Sequence, residues 1–260
     1  MAIHHKLSFA GAGKVAGALC RELHSSGHFI EHIVSRNEIS GRTLAGSYHA
    51  TWSDDFIFPD KSDIIIVAVP DDNLSEVLGK IKCSESAIVA HTAGSIGLDI
   101  FPPELKNTGV FYPLQTFSGT RKPDLSIVPF FIEASDEKCT ATLRNLAETI
   151  SRIVYLSDTE HRKILHLAAV FVSNFTNYML TTGKNISSRA AVPFNVLTPL
   201  ILETVSKAIE TGPENSQTGP AVRYDLNTIE KHLDLLSFSP ELRNMYDMIT
   251  KSIIRYYKKD

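Results

Sequence analysis

Leu7-Ser8-Phe9-Ala10-Gly11-Ala12-Gly13-Lys14-Val15-Ala16-Gly17 is the stretch on which the fold turns. A short apolar run stops at a closely spaced glycine pair, and residues 18–23 continue at helical spacing. This is Gly-x-Gly-x-x-Ala between a strand and a helix, the pattern of a dinucleotide-binding turn. Gly11 would permit the tight turn and Gly13 would let backbone approach a pyrophosphate. The small Ala16 lets the helix lie close on the strand. Amides at the start of that helix would face the phosphates, so Gly11, Ala12, Gly13, Lys14 and Val15 are candidate binding positions.

Working outward, β-branched runs alternate with helix-like segments up to about residue 156. That alternation predicts crossover connections and a mostly parallel sheet. The expected strands are residues 7–10, 29–34, 64–69, 87–91, 110–112, 130–132 and 153–156. Ile64-Ile65-Ile66-Val67-Ala68-Val69 is apolar on both alternating faces, as a central strand covered by helices on both sides requires. After Asp158 strand-like runs stop and stretches at helical spacing follow, interrupted at Pro193, at the polar segment 211–220 and at residues 237–240. The expected fold class is therefore α/β: a Rossmann-type domain, residues 1–156, followed by a smaller all-helical domain, residues 157–260.

The rest of the composition excludes other classes. Of 260 residues 43% are hydrophobic and 21% charged, with a net charge of -3, which rules out disordered and fibrous chains. There is no basic footprint for nucleic acid. Cys20, Cys83 and Cys139 are scattered without a CxxC spacing, and the histidines show no ligand spacing, so neither a disulfide framework nor a metal is expected. No signal-type stretch opens the chain and no unbroken run reaches the roughly 18 apolar residues of a membrane span, so the expected setting is cytoplasmic with no membrane partner.

The second strand ends at Ser35-Arg36-Asn37, where an NAD site usually carries an acidic residue for the ribose hydroxyls. Arg36, with the Ser35 hydroxyl, is instead suited to a 2′-phosphate, because a guanidinium donates two parallel bonds to phosphate oxygens. NADP is the expected cofactor. The central strand closes with Ala68-Val69-Pro70, and the next strand with His91-Thr92-Ala93-Gly94, both at the carboxyl edge where ligands of open α/β sheets lie. A hydrogen-bonded structural role for His91 fits equally well.

With these residues in hand, the chain resembles a family of Rossmann-like NADP oxidoreductases with a helical C-terminal domain. It is similar more distantly to pyrroline-carboxylate reductases, 6-phosphogluconate dehydrogenases and β-hydroxyacid dehydrogenases. The resemblance rests on the Gly11-to-Ala16 turn, the His91-to-Gly94 loop, Tyr112-Pro113-Leu114-Gln115-Thr116-Phe117, residues 163–169 and residues 218–225. Tyr112 stands where that family often has histidine, and Leu165 where it often has an aromatic residue.

Residues 160–183 should form one long helix on which Lys163, His166, Asn174 and Asn177 project within an arc of roughly 80°. Lys-x-x-His also resembles the catalytic arrangement of 6-phosphogluconate dehydrogenases, with Leu167 here in place of their asparagine. Lys163, His166 and Asn174 are thus the candidate catalytic residues, Lys163 moving a proton and His166 orienting the substrate. The same pattern fits a solvated lysine and a satisfied structural histidine. The resemblance implies hydride transfer between nicotinamide and a small carbonyl, imine or alcohol. A non-catalytic NADP-binding sensor is the alternative, and reduction through a deazaflavin a third reading. The apolar faces of the helical half, residues 245–254 among them, predict a homodimer.

Overall fold

The computed structural model describes residues 4–119 and 121–258. Eight strands form one sheet: β1 (Lys6–Ala10), β2 (Phe29–Val34), β3 (Thr51–Ser53), β4 (Ile64–Val67), β5 (Ile88–His91), β6 (Thr108–Pro113), β7 (Phe130–Ala134) and β8 (Val154–Leu156). Between them lie α1 (Lys14–Ser25), α2 (Glu38–Gly46), α3 (Asp71–Leu78) and α4 (Glu137–Glu148). The strand order is β3-β2-β1-β4-β5-β6-β7-β8, and all pairs are parallel except β6 with β7. That reversal follows from the connection. Among the described residues of the 114–129 connection there is only a single 3-10 turn, and without a crossover helix the chain returns antiparallel. The expected strands are all present; β3, a three-residue edge strand, was not foreseen.

The register places Val34, Ala10, Val67, His91 and Val110 in one row across the five neighbouring strands. Residues just beyond that row share one carboxyl edge. Ile64 and Ile66 of β4 pack into one core with α1 and α4, while Ile65 and Val67 pack into a second core with α3. The two-faced apolar run is thus buried on both sides, as its pattern requires.

The remaining helices are α5 (Thr159–Ala169), α6 (Thr176–Arg189), α7 (Thr198–Thr211), α8 (Pro213–Ser216), α9 (Leu226–Leu235) and α10 (Pro240–Tyr257), with a π-helical segment, Val170–Phe175, joining α5 to α6. The expected long helix is therefore real but not uniformly α-helical. The polar 211–220 segment contains the one-turn α8 instead of being wholly irregular.

The chain divides into two compact units, Met1–Tyr178 and Met179–Asp260. The division falls inside α6, later than the expected boundary at residue 156, because α5 is anchored to the sheet. The Arg162 side chain is fully buried and ion-paired with Glu133 of β7. Within the second unit α7 packs mainly on α8 and the turn Phe194–Leu197, and Leu200, Leu202, Val205 and Ile209 are exposed. The continuous helix Thr159–Arg189 also meets the length and composition of a membrane span, with mean hydropathy 1.2 over its best window and none of that window buried. The sequence reading required an unbroken apolar run and so passed over this helix, which His166, Ser173 and Asn174 interrupt.

Candidate active site

The turn after β1 is built around backbone that only glycine tolerates. Gly11 has φ +111, and a Cβ there would collide with the carbonyl oxygen of Ala68. Its amide donates to Val34 O at 2.7 Å, and the Ala68 amide donates to Ala10 O at 2.8 Å, which ties the turn to β2 and to the end of β4. Gly13 caps α1 with φ -82, and a Cβ there would meet nothing within 4 Å. Gly11 is thus demanded by the protein's own packing, whereas open space stands in front of Gly13 at a helix N-terminus, where an anion is favoured. Ala16 is fully buried against the core, as its place in the motif predicts.

A cleft of about 250 Å³ brings together Gly11, Ala12, Gly13, Ser35, Arg36, Asn37, Ala68, Val69 and Pro70. Of the other expected binding residues, Lys14 and Val15 form the first turn of α1, while His91, Thr92, Ala93 and Gly94 lie at and just after the end of β5; none of these six lines the cleft. Arg36 is exposed, and its Nη2 donates to Asn73 Oδ1 at 3.1 Å.

Ser35 requires a correction. Its hydroxyl donates to Asn37 O at 2.9 Å and accepts from Trp52 Nε1 at 3.1 Å, and the residue is buried. With its proton committed inside the fold it is a brace between β2 and β3 and not a free phosphate donor. Asn37 is likewise occupied: its Oδ1 accepts from Ser40 N at 2.9 Å and caps α2. Arg36 therefore supplies the charge at this end of the cleft.

His91 has a structural place in the fold. It is fully buried, its Nδ1 accepts from Ala93 N at 3.2 Å, and its ring stacks on Phe101 at 5.4 Å. Burial pushes its pKa down to about 4, so the imidazole is neutral and shapes the loop that follows β5.

Two residues far apart in the chain meet farther along the carboxyl edge. The Tyr112 hydroxyl, at the end of β6, lies 3.0 Å from His166 Nδ1 on α5, the donor being set by the imidazole tautomer. Burial and the nearby Asp71 carboxylate hold the Tyr112 phenol above its usual pKa. Gly94 leaves room for this pair: a Cβ there would stand 2.6 Å from Tyr112 Cζ and 2.7 Å from His166 Nδ1.

Tyr112, His166 and Asn174 line a cavity of about 390 Å³ together with Gln115, Thr116, Ser173 and six apolar residues, and no Asp, Glu, Lys or Arg is among them. The π segment carries Ser173 and Asn174 into this lining, and such segments are frequent at functional sites. Lys163 is not brought there. Its Nζ donates to Glu160 Oε1 at 2.9 Å, with both side chains at least half-exposed or nearly so. It sits about 60° round the helix from His166 and one turn nearer the N-terminus, where the i−3 carboxylate captures it. The expected trio thus separates into His166 and Asn174 at the cavity and Lys163 outside it. Tyr112 was the residue missed; its only signal was the departure from histidine.

Comparison with known proteins matches both parts of the chain, with limits that differ from the two compact units. The family described as NADP oxidoreductase, coenzyme F420-dependent, matches residues 6–94, and a domain of unknown function, DUF2520, matches residues 128–253. A search of curated proteins gave no match. Among solved structures, the candidate NADP oxidoreductase BF3122 from Bacteroides fragilis is 38% identical, with 97% of this chain and 98% of that one covered and a TM-score of 0.88. Protein TM1727 from Thermotoga maritima is 23% identical over 97% of this chain and 100% of its own, with a TM-score of 0.71. A 1-pyrroline-5-carboxylate reductase from Streptococcus pyogenes shares the fold at 12% identity, 97% and 99% coverage and a TM-score of 0.61. The chain belongs to the family of BF3122; in this chain an NADP-oxidoreductase match is followed by a DUF2520 match that takes in β7, α4, β8 and the C-terminal helices.

Proposed function

We propose that this protein is an NADP-dependent oxidoreductase that moves hydride between nicotinamide and a small carbonyl, imine or alcohol. The observation that carries the reading is the cleft at Gly11 to Gly13, open in front of the α1 N-terminus and lined by Arg36 with no acidic residue in its lining. In this reading Gly13 and the amides of Lys14 and Val15 hold the pyrophosphate. Arg36 holds the 2′-phosphate. Ala68, Val69, Pro70 and the backbone of Thr92, Ala93 and Gly94 support the remainder of the dinucleotide along the carboxyl edge. The description of BF3122 as an NADP oxidoreductase supports the same cofactor. Bound nicotinamide supplies or accepts the hydride. His166 and Asn174 orient the substrate, and the uncharged cavity lining favours a neutral carbonyl or imine.

Titration calorimetry with NADPH and NADH, followed by absorbance at the nicotinamide band with a panel of neutral cyclic imines and ketones, tests this. Binding of neither nucleotide would remove the reading. The proposal includes a homodimer joined through the helical unit, supported by the exposed apolar side chains of α7 and by Met248 and Ile249 of α10.

A further inference from the structure

We propose that Tyr112 donates the proton in this reaction, with His166 holding and reprotonating it. The inference rests on the oxidoreductase reading above and adds a catalytic residue to it.

Position is the first argument. Tyr112 lies near the end of β6, which is reached from β1 through β4 and β5, while Arg36 follows β2 on the other side of β1. Three strand spacings of about 4.8 Å set the β6 edge roughly 14 Å from the glycine turn. A dinucleotide whose pyrophosphate sits at Gly13 and whose adenosine end reaches Arg36 extends its other half in that direction. Its reactive ring would then be held toward the end of the edge where the Tyr112 hydroxyl lies.

The second argument is chemical. Tyr112 is only 8% exposed, and its hydroxyl carries a positioned imidazole at 3.0 Å. Its phenol is held neutral at physiological pH by burial and Asp71, so it is in the protonated form a donor needs. Gly94 packs too close to the pair for any side chain, which fixes the two rings against the loop after β5. Asn174, Ser173, Gln115 and Thr116 give a substrate heteroatom neutral partners in the same cavity.

The step balances. Reduced nicotinamide would supply the hydride for the new bond at the carbonyl or imine carbon, and the electron pair of the broken π bond would move to oxygen or nitrogen. That atom takes the Tyr112 hydroxyl proton. The phenolate takes a proton from His166 Nδ1 as Nε2 of the same ring takes one from solvent, so the relay leaves the ring with no net gain or loss of protons. His166 is partly exposed, which gives its ring access to solvent.

The test does not depend on knowing the substrate. Protein labelled at the tyrosine ring carbon bearing the hydroxyl is titrated by NMR in its NADP+ and NADPH complexes, with Tyr112→Phe assigning the resonance. Should that variant not fold, displacement of the same resonance in His166→Asn assigns it. A pyridinium charge near the phenol favours the phenolate, so Tyr112 is expected to ionise about one pH unit or more lower with NADP+ than with NADPH. A tyrosine with a merely structural hydrogen bond far from the ring would titrate identically in both complexes. Identical titration while calorimetry shows both nucleotides bound overturns this proposal and leaves the oxidoreductase reading standing. Failure of both nucleotides to bind overturns the two together.

Discussion

Arg162 of α5 is fully buried and joined to Glu133 of β7, and its Nη2 also donates to Ile96 O in the loop after β5. One guanidinium therefore links a sheet strand, the helix that bears His166 and the loop that bears Gly94. Glu133 accepts from Thr159 Oγ1 at 2.9 Å as well. Removing one partner of a buried pair leaves an uncompensated charge, at a cost of about 3–5 kcal/mol. Arg162→Met is expected to lower unfolding free energy by about 3 kcal/mol, and Arg162→Met with Glu133→Leu to restore most of it. Denaturant titration reads both; a single variant within 1 kcal/mol of wild type would contradict the linkage.

Arg36 and Ser35 should separate cleanly. Arg36→Ala is expected to cut the preference for NADPH over NADH by about tenfold or more, the weight of a lost charge-assisted pair. Ser35→Ala is expected to leave the preference alone and to cost about 1 kcal/mol of stability, since its hydroxyl braces Trp52 and Asn37. A Ser35→Ala protein that loses its nucleotide preference would show that the hydroxyl faces the ligand after all.

The glycines of the turn make a second contrasting pair. Gly11→Ala forces a side chain into φ +111 against the Ala68 carbonyl and is expected to destabilise the fold by about 2 kcal/mol or more. Gly13→Ala meets no protein atom and keeps an ordinary φ, so its melting temperature should be near that of wild type. Its NADPH affinity should nevertheless fall, because the added methyl occupies the open space in front of α1. Thermal melts and calorimetry on the two variants check this; Gly13→Ala binding NADPH as tightly as wild type would argue against a phosphate there.

His91 gives the fold an acid sensitivity. The native ring keeps its neutral form down to about pH 4, whereas the unfolded chain's imidazole takes up its proton near 6.5. Between those values the unfolded state binds more protons, so this contribution is complete above about 6.5 and is lost as pH falls toward 4. The loss is on the order of 3 kcal/mol. His91→Gln should flatten the dependence measured by urea unfolding at pH 7 and pH 5; an unchanged slope would assign the sensitivity elsewhere, His28 being the other buried imidazole pushed to about 4.

A second copy of the chain should cover the helical unit. Leu200, Leu202, Val205 and Ile209 stand 48% to 80% exposed on α7. Light scattering at micromolar concentration is expected to give twice the chain mass, and Val205→Glu with Ile209→Lys to shift it to one chain mass. A wild-type monomer at that concentration would refute the dimer.

The parts of this protein that depend on local backbone chemistry were legible in its sequence. Gly11 reads as a left-handed turn because no other residue tolerates that φ, Ile64 to Val67 as a doubly covered strand because both alternating faces are apolar, and Arg36 as the charge of the cleft because it follows a strand end. Tertiary structure decided the rest, because those contacts span many residues and depend on sheet order and helix phase. The role of Ser35 is set by Trp52 on an edge strand of only three residues, too short to announce itself by pattern. The Tyr112–His166 pair joins residues 54 apart in sequence, and only the neighbouring of β5 and β6 together with the anchoring of α5 by Arg162 brings them to one cavity. Lys163 shared the helical arc of His166 on paper. The carboxylate of Glu160 one turn earlier holds it in solvent, and the π segment sets the phase at which Asn174 reaches the cavity.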